Sequence, residues 1–252
     1  MSALKASFRN EWSKLLSRKK YIVFLIIGLV ICLLWAVVGQ LLTNLMLRHG
    51  GILFTIAPTP MGMLPFFLQV LVPFLIFMAV TDLLTVESAD STMKAMICRP
   101  VERWKLYISK IMAVTAYAAF YLTCIFIISA VLNQIFGRPL GASALFVSLV
   151  SYALSVIPLA VLAMFAAFIA VLGKSSTLTM FLLLLIYLAK SVLPVFFPLL
   201  SEMLFTSYLG WHSLWVGALP GASRLIHMLV VVFSYGVVFF TAGSLIFDKK
   251  DY

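Results

Sequence analysis

In a chain of 252 residues, 64% are hydrophobic, only 10% are charged and the mean hydropathy is +1.15, which excludes an ordinary soluble globular domain and selects a polytopic membrane protein. The formal net charge of +10 does not point to nucleic acid, because the basic residues sit at the ends of apolar runs and no zinc-finger or RNA-binding motif occurs. Lys and Arg gather in cytoplasmic loops of membrane proteins, so topology accounts for the excess.

At the N-terminus, Leu4, Phe8, Trp12 and Leu15 recur at three- and four-residue steps, while Lys5, Arg9, Lys14 and Arg18 fall elsewhere on the helical wheel. This pattern predicts an amphipathic helix over residues 2–18 lying on the cytoplasmic membrane surface. A basic cluster that only sets topology is the alternative. The first apolar run opens at Tyr21, and no small-residue cleavage site follows at a signal-peptide distance, so it reads as a retained anchor. A helix needs about 20 apolar residues to cross a bilayer. By that rule spans are predicted at residues 21–42, 64–84, 106–136, 144–172 and 177–197, with a sixth at 225–247. The stretch 198–221 is apolar but broken by Pro198, Gly210, Pro220 and Gly221. Short re-entrant helices dipping into the outer leaflet fit it better than a seventh span, because irregular backbone at membrane depth must be shielded by protein. There is no internal repeat, and residues 1–252 read as a single transmembrane domain.

With six spans, 14 of the 18 Lys and Arg fall on the side of both termini, leaving Arg48, Arg138, Lys190 and Arg224 on the other. That asymmetry places both termini in the cytoplasm. A seven-span arrangement would send Lys249 and Lys250 outside.

The charged segment from Asp82 to Lys110 interrupts the apolar pattern. Within a cytoplasmic loop at 85–105, Val86, Ala89, Met93, Met96 and Ile97 lie at helical spacing, which predicts a short amphipathic helix from Glu87 to Cys98. Ser88 and Asp90 are candidate caps, and Asp90 precedes Lys94 by four residues, the favourable order for an acid and a base. Pro100 stops the helix, and Arg99, Glu102, Arg103 and Trp104 lead into the third span. A stiff cytoplasmic helix between two spans suits a lever moved by a soluble partner.

This segment resembles the loop of type-2 ATP-binding-cassette (ABC) exporter permeases. The resemblance lies in Glu87, then Ser91-Thr92, then Pro100-Val101-Glu102-Arg103, and finally Ser109-Lys110 at the entry to the third span. The family pattern has glycine where this chain has Ser91 and Ser109. The six-span layout, the amphipathic N-terminal helix and the broken stretch before the last span extend the resemblance along the chain. It implies an all-α integral membrane permease of the plasma membrane of a bacterium, multi-pass, with a coupling helix that rests in a cleft of a separate ATPase. On that reading Glu87, Asp90, Thr92, Met93, Lys94, Met96, Arg99 and Arg103 face or brace the ATPase. The implied partners are a cytoplasmic ABC ATPase in two copies, a second permease chain, identical or homologous, and membrane lipids, with no nucleic acid. ATP and Mg belong to the partner ATPase, and no cofactor is bound by this chain. A solvated loop that merely obeys charge topology is the alternative for these residues.

Gly173-Lys174-Ser175 imitates the end of a phosphate-binding loop, but the position for the upstream glycine is Phe168 and no strand is predicted before it. His49, His212 and His227 have no partner at metal-ligand spacing, no HExxH or nucleophile-elbow Ser occurs, and Cys32, Cys98 and Cys124 lie in separate segments without a CxxC. His212, between Trp211 and Trp215, belongs to an interfacial aromatic group. Inside the spans, Lys190 lies 13 residues after Thr177, about 20 Å along a helix. It either meets an anionic group on an export path or snorkels to the outer surface. Gln40, Asn44 and Gln69, with Asn133 and Gln134, are further polar candidates for that path. The function expected is an exporter permease, with a peptide antibiotic or other amphipathic molecule as substrate by analogy of size and layout. A membrane-embedded sensor or scaffold without transport is the alternative from another class, and an intramembrane enzyme lacks its catalytic parts.

Overall fold

The computed structural model describes residues 3–49, 59–89, 102–136, 140–196, 205–215 and 222–250. Among these residues every regular element is helical. Five helical stretches are long and apolar enough to cross a membrane, namely Lys19–Leu42, Pro60–Val86, Arg103–Phe136, Ala142–Leu172 and Leu225–Lys249, and Ser176–Lys190 is a shorter apolar helix.

Helix α1 (Ala3–Ser17) bends at Arg18 into α2 (Lys19–His49). The second stretch begins at α3 (Pro60–Phe66), where the Thr59 side chain caps the Gly62 amide and Pro60 supplies a helical φ at the first position. It continues through a π turn at Phe67–Leu71 into α4 (Val72–Val80), then a second π turn at Thr81–Val86 and α5 (Glu87–Ala89). The first π turn has a cause in the sequence. Pro73 has no amide to give and its ring crowds the carbonyl of Gln69, four residues back, so the regular bond ladder opens there. Helix α6 (Arg103–Phe136) is the longest. The stretch after it is kinked: α7 (Ala142–Leu154) and α8 (Val156–Leu172) meet at Ser155, three residues before Pro158, and the Ser155 hydroxyl donates to the Ser151 carbonyl. Helices α9 (Ser176–Phe196) and α10 (Ala222–Lys249) follow, separated by a 3-10 helix at Phe205–Trp215.

Five of the predicted spans fall within the long apolar stretches; the one at 177–197 coincides with α9 as far as Phe196, in part the shorter apolar helix, and residue 197 lies outside the described residues. Two features differ from expectation. The fourth is two helices joined at a kink, because Pro158 interrupts it, and the second carries two π turns. Of the predicted re-entrant element at 198–221, the described part is that one 3-10 helix; residues 198–204 and 216–221 lie outside the described residues, as do residues 90–101 of the predicted coupling loop.

Helices α4, α6 and α8 form the centre and contribute most of the buried side chains, including Phe77, Tyr107, Tyr117, Tyr121 and Leu162. Helix α1 lies along α6, and α10 packs on α8. Helices α2 and α10 expose apolar rows, among them Leu34, Leu41, Phe233 and Val237, as lipid-facing helices do. Gly243 allows α10 its close approach, since a Cβ there would fall on the Tyr107 hydroxyl and lie 3.4 Å from the Phe168 backbone.

Candidate functional site: a charge cluster at the root of the polar loop

The end of the molecule where α1, α5 and the start of α6 meet is held by ionic groups under apolar cover. Glu11 and Lys14 stand three residues apart on α1, and so share a face. Glu87 sits at the end of the second stretch, just before residues 90–101, and Lys110 lies two turns into α6. Lys110 Nζ donates to Glu87 Oε2 at 2.5 Å and to Glu11 Oε2 at 3.2 Å. Lys14 Nζ donates to the other oxygens of the same acids, Glu87 Oε1 at 2.9 Å and Glu11 Oε1 at 3.0 Å. Two acids and two bases are thus bonded to one another in a ring, and the Asn10 side-chain amide also donates to Glu11 Oε1 at 3.3 Å. Glu11 and Lys110 are 0% and 1% exposed and Glu87 5% exposed, so three of the four charges are out of water and depend on one another.

The electrostatics follow from that geometry. Burial alone would raise the Glu87 carboxyl, but the charge and hydrogen bond of Lys110, with those of Lys14, hold it below the usual carboxylate range. Burial likewise works against the Lys14 ammonium, and its bond to Glu87 with the charges of Glu11 and Glu87 keeps it above the ordinary lysine value.

A second cluster fixes the bend between α1 and α2. Asp82, in the second π turn and buried, accepts from the Tyr21 hydroxyl at 2.5 Å, pairs with Arg18 at 3.2 Å and also pairs with Lys20. Tyr117 donates to the Tyr21 carbonyl at 3.0 Å, the Ser7 and Ser109 hydroxyls lie 2.8 Å apart, and Trp12 meets the rings of Tyr117 and Phe120. The N-terminal arm is thus docked through charge, hydroxyl and aromatic contacts onto the two helices that flank the polar loop. At the same end Arg103 donates to the Asp248 carbonyl at 2.6 Å, and Lys250 donates to the Val171 carbonyl at 2.6 Å, where a cation also suits the C-terminus of α8.

Of the residues expected at an ATPase contact, Glu87 and Arg103 are described and stand in different assemblies: Glu87 in the buried cluster, Arg103 on the end of α10. Asp90, Thr92, Met93, Lys94, Met96 and Arg99 lie outside the described residues. From the sequence Lys14 was read only as a basic wheel position, Asp82 as the start of the charged segment and Lys110 as the end of the family motif, and Glu11 was not singled out. One signal was available: Glu11 is the lone acid in the N-terminal arm and falls next to Leu4 at the edge of the apolar face, where an unpaired charge would be costly.

In the opposite half of α9, Lys190 Nζ donates to the Tyr187 hydroxyl at 2.5 Å, and that hydroxyl donates at 2.8 Å to the Gln69 carbonyl opened by Pro73. Lys190 is therefore linked through Tyr187 to the backbone of Gln69, a residue that is itself exposed. Gln40, half-buried, and Asn44, exposed, stand on α2 apart from this chain of bonds. Gly173, Lys174 and Ser175 form the turn between α8 and α9, with helix on both sides rather than the strand a phosphate-binding loop needs. Among the described residues no group of three or more His, Cys, Asp and Glu is placed to hold a metal ion.

Among the described residues every regular element is helical and several are long and apolar enough to cross a membrane, the layout of a multi-pass membrane protein. Residues 7–190 match the family model described as ABC-2 family transporter protein, and the chain belongs to that family. The match runs from α1 to Lys190 and so contains both charge clusters. No curated protein matches the chain.

Proposed function

We propose that this chain is the permease subunit of an ATP-driven exporter. It pairs with a second permease chain and takes its energy from a separate cytoplasmic ATPase that contacts the segment around residues 90–101, with ATP and Mg on that ATPase. The observation that carries the reading is the Glu11–Lys14–Glu87–Lys110 cluster at the root of this segment. A loop meant to transmit force must be anchored to the elements it moves, and the cluster ties the end of the second helix to α1 and to the third. In this reading α9 is a sixth crossing beside the five long apolar stretches, since its 21 residues extend about 31 Å, the thickness of the hydrocarbon core. Substrates that fit an apolar chain with scattered polar groups are amphipathic, a peptide antibiotic among them.

The decisive experiment is co-purification of the full chain with candidate ABC ATPases, followed by ATP hydrolysis and export in proteoliposomes. Binding and export together, both weakened by Lys94→Glu with Arg99→Glu, are the expected result. Binding without export would make the chain a membrane-embedded sensor or scaffold.

The orientation has its own check. A reporter active only in the cytoplasm, fused after Tyr252, is expected to be active; activity solely from an external reporter would require an odd number of crossings and overturn the six-span arrangement.

Lys190 is the residue assigned to the substrate path, because a charge at membrane depth costs about 3 kcal/mol on insertion scales unless it has water or a partner. Lys190→Met is expected to preserve expression and assembly while lowering substrate-stimulated ATPase activity, and Lys190→Arg to retain much of it. Tyr187→Phe removes the hydroxyl that Lys190 donates to and leaves the Gln69 carbonyl without its partner, a cost of about 1–3 kcal/mol, so part of the same loss is expected. Equal transport by wild type and Lys190→Met would remove Lys190 from the path.

A further inference from the structure

Between α6, α8 and α10 lies a groove of 590 Å³ that none of the polar machinery uses. It exists because the facing positions are small: Ala116, Ala119, Ala160 and Gly236 leave unfilled what Ile, Leu or Phe would occupy. Its wall is almost wholly apolar, and Met112, Phe233 and Val237 on its rim are 43%, 61% and 60% exposed, so it opens toward the membrane. One end is closed by Phe8 of α1, which stacks on Trp12 with ring centroids 6.3 Å apart. The charged start of α6, at Arg103 and Lys105, marks the level of the lipid headgroups. From Ile108, beside Phe8, to Ala119 the groove follows α6 for about 16 Å, half of the roughly 30 Å hydrocarbon core. It therefore reaches from the headgroups to the midplane, the depth of a single leaflet.

The mouth has a charge to match. Lys5 and Arg9 are four residues apart and stack on one flank of α1 beside Phe8, both exposed and, among the described residues, without a carboxylate partner. We infer that this groove is a binding site for one anionic phospholipid, with an acyl chain between α6, α8 and α10 and the phosphate at Lys5 and Arg9. The site does not depend on ATPase coupling. A lipid so placed bridges the docked arm and the last helix.

The test uses the full chain in nanodiscs containing either phosphatidylglycerol or phosphatidylcholine with a photoactivatable diazirine on the acyl chain, with adducts mapped by mass spectrometry. Adducts are expected on residues 108–119, 156–164 and 232–240, and in higher yield from phosphatidylglycerol. Lys5→Ala with Arg9→Ala, both on the exposed flank, should lower the phosphatidylglycerol-to-phosphatidylcholine ratio by up to about thirtyfold, the effect of removing two basic residues near an anionic headgroup. Gly236→Leu, whose Cβ would meet nothing closer than Val161 at 3.4 Å, should fill the groove and abolish these adducts while leaving those on α2. Equal yields from the two lipids, a ratio unchanged in the double variant, or adducts as dense on α2 as in the groove would each overturn the assignment. So would replacement of lipid adducts by cross-links between two copies of the chain through the groove.

Discussion

Glu87→Ala is expected to destabilise the protein by about 3–5 kcal/mol and to loosen α1, because it leaves two buried or half-buried ammonium groups, Lys110 and Lys14, facing the single carboxylate of Glu11. Hydrogen exchange across α1 should rise sharply, and ATP hydrolysis by the partner should no longer be matched by export. A second variant separates charge balance from mere side-chain loss. Glu87→Leu combined with Lys110→Leu removes one acid and one base, and it should recover most of the stability, since replacing a buried ion pair by apolar side chains is often neutral. Unchanged α1 exchange in Glu87→Ala would show that the cluster does not clamp the arm.

The same cluster sets a pH window. The Glu87 carboxyl is held below its ordinary value of 4.5, so its contribution is present above that value and is lost as the pH falls through the lowered one. The Lys14 ammonium is held above 10.5, so its contribution is complete below that value and is lost as the pH rises through the raised one. Docking of α1, followed by hydrogen exchange in nanodiscs, should accordingly be flat through neutral pH and fail at both extremes. In Glu87→Ala the acid limb should lose its Glu87 component.

Gly243→Leu should be the most damaging apolar substitution among the glycines of α10. The Tyr107 ring that its Cβ would strike is fully buried and held between Phe240 and Phe247, at centroid distances of 5.8 and 5.5 Å, so the ring has nowhere to go. Overpacking of this kind costs about 1–3 kcal/mol, and the relief open to the chain is for α10 to move away from α6 and α8. Gly236→Leu, two turns earlier on the same face of α10 where the groove is open, provides the contrast and should melt close to wild type. Equal melting temperatures for the two variants would contradict the close approach of α10.

Membrane helices are unusually legible because lipid offers the backbone no hydrogen bonds, so every crossing must be a long apolar helix. The stretches at 21–42, 106–136 and 225–247 therefore declared themselves by length and composition, and α1 by the three- and four-residue spacing of Leu4, Phe8, Trp12 and Leu15. The basic end was legible for the same kind of reason, since charge is confined to where water is. Kinks were half legible: Pro73 and Pro158 stand in the sequence, but which side chain answers a freed carbonyl does not, and Tyr187 reaches Gln69 across 118 residues of chain. Periodicity speaks only of neighbours within a few turns, and it placed Glu87 at the start of a short amphipathic helix. Tertiary packing supplied its partners, Lys110 at a separation of 23 residues and Lys14 at 73, and gave Glu11, an acid at the edge of an apolar face, the partners it needs. A buried charge is tolerable only where opposite charges from other helices converge on it, and that convergence is a property of the assembled bundle.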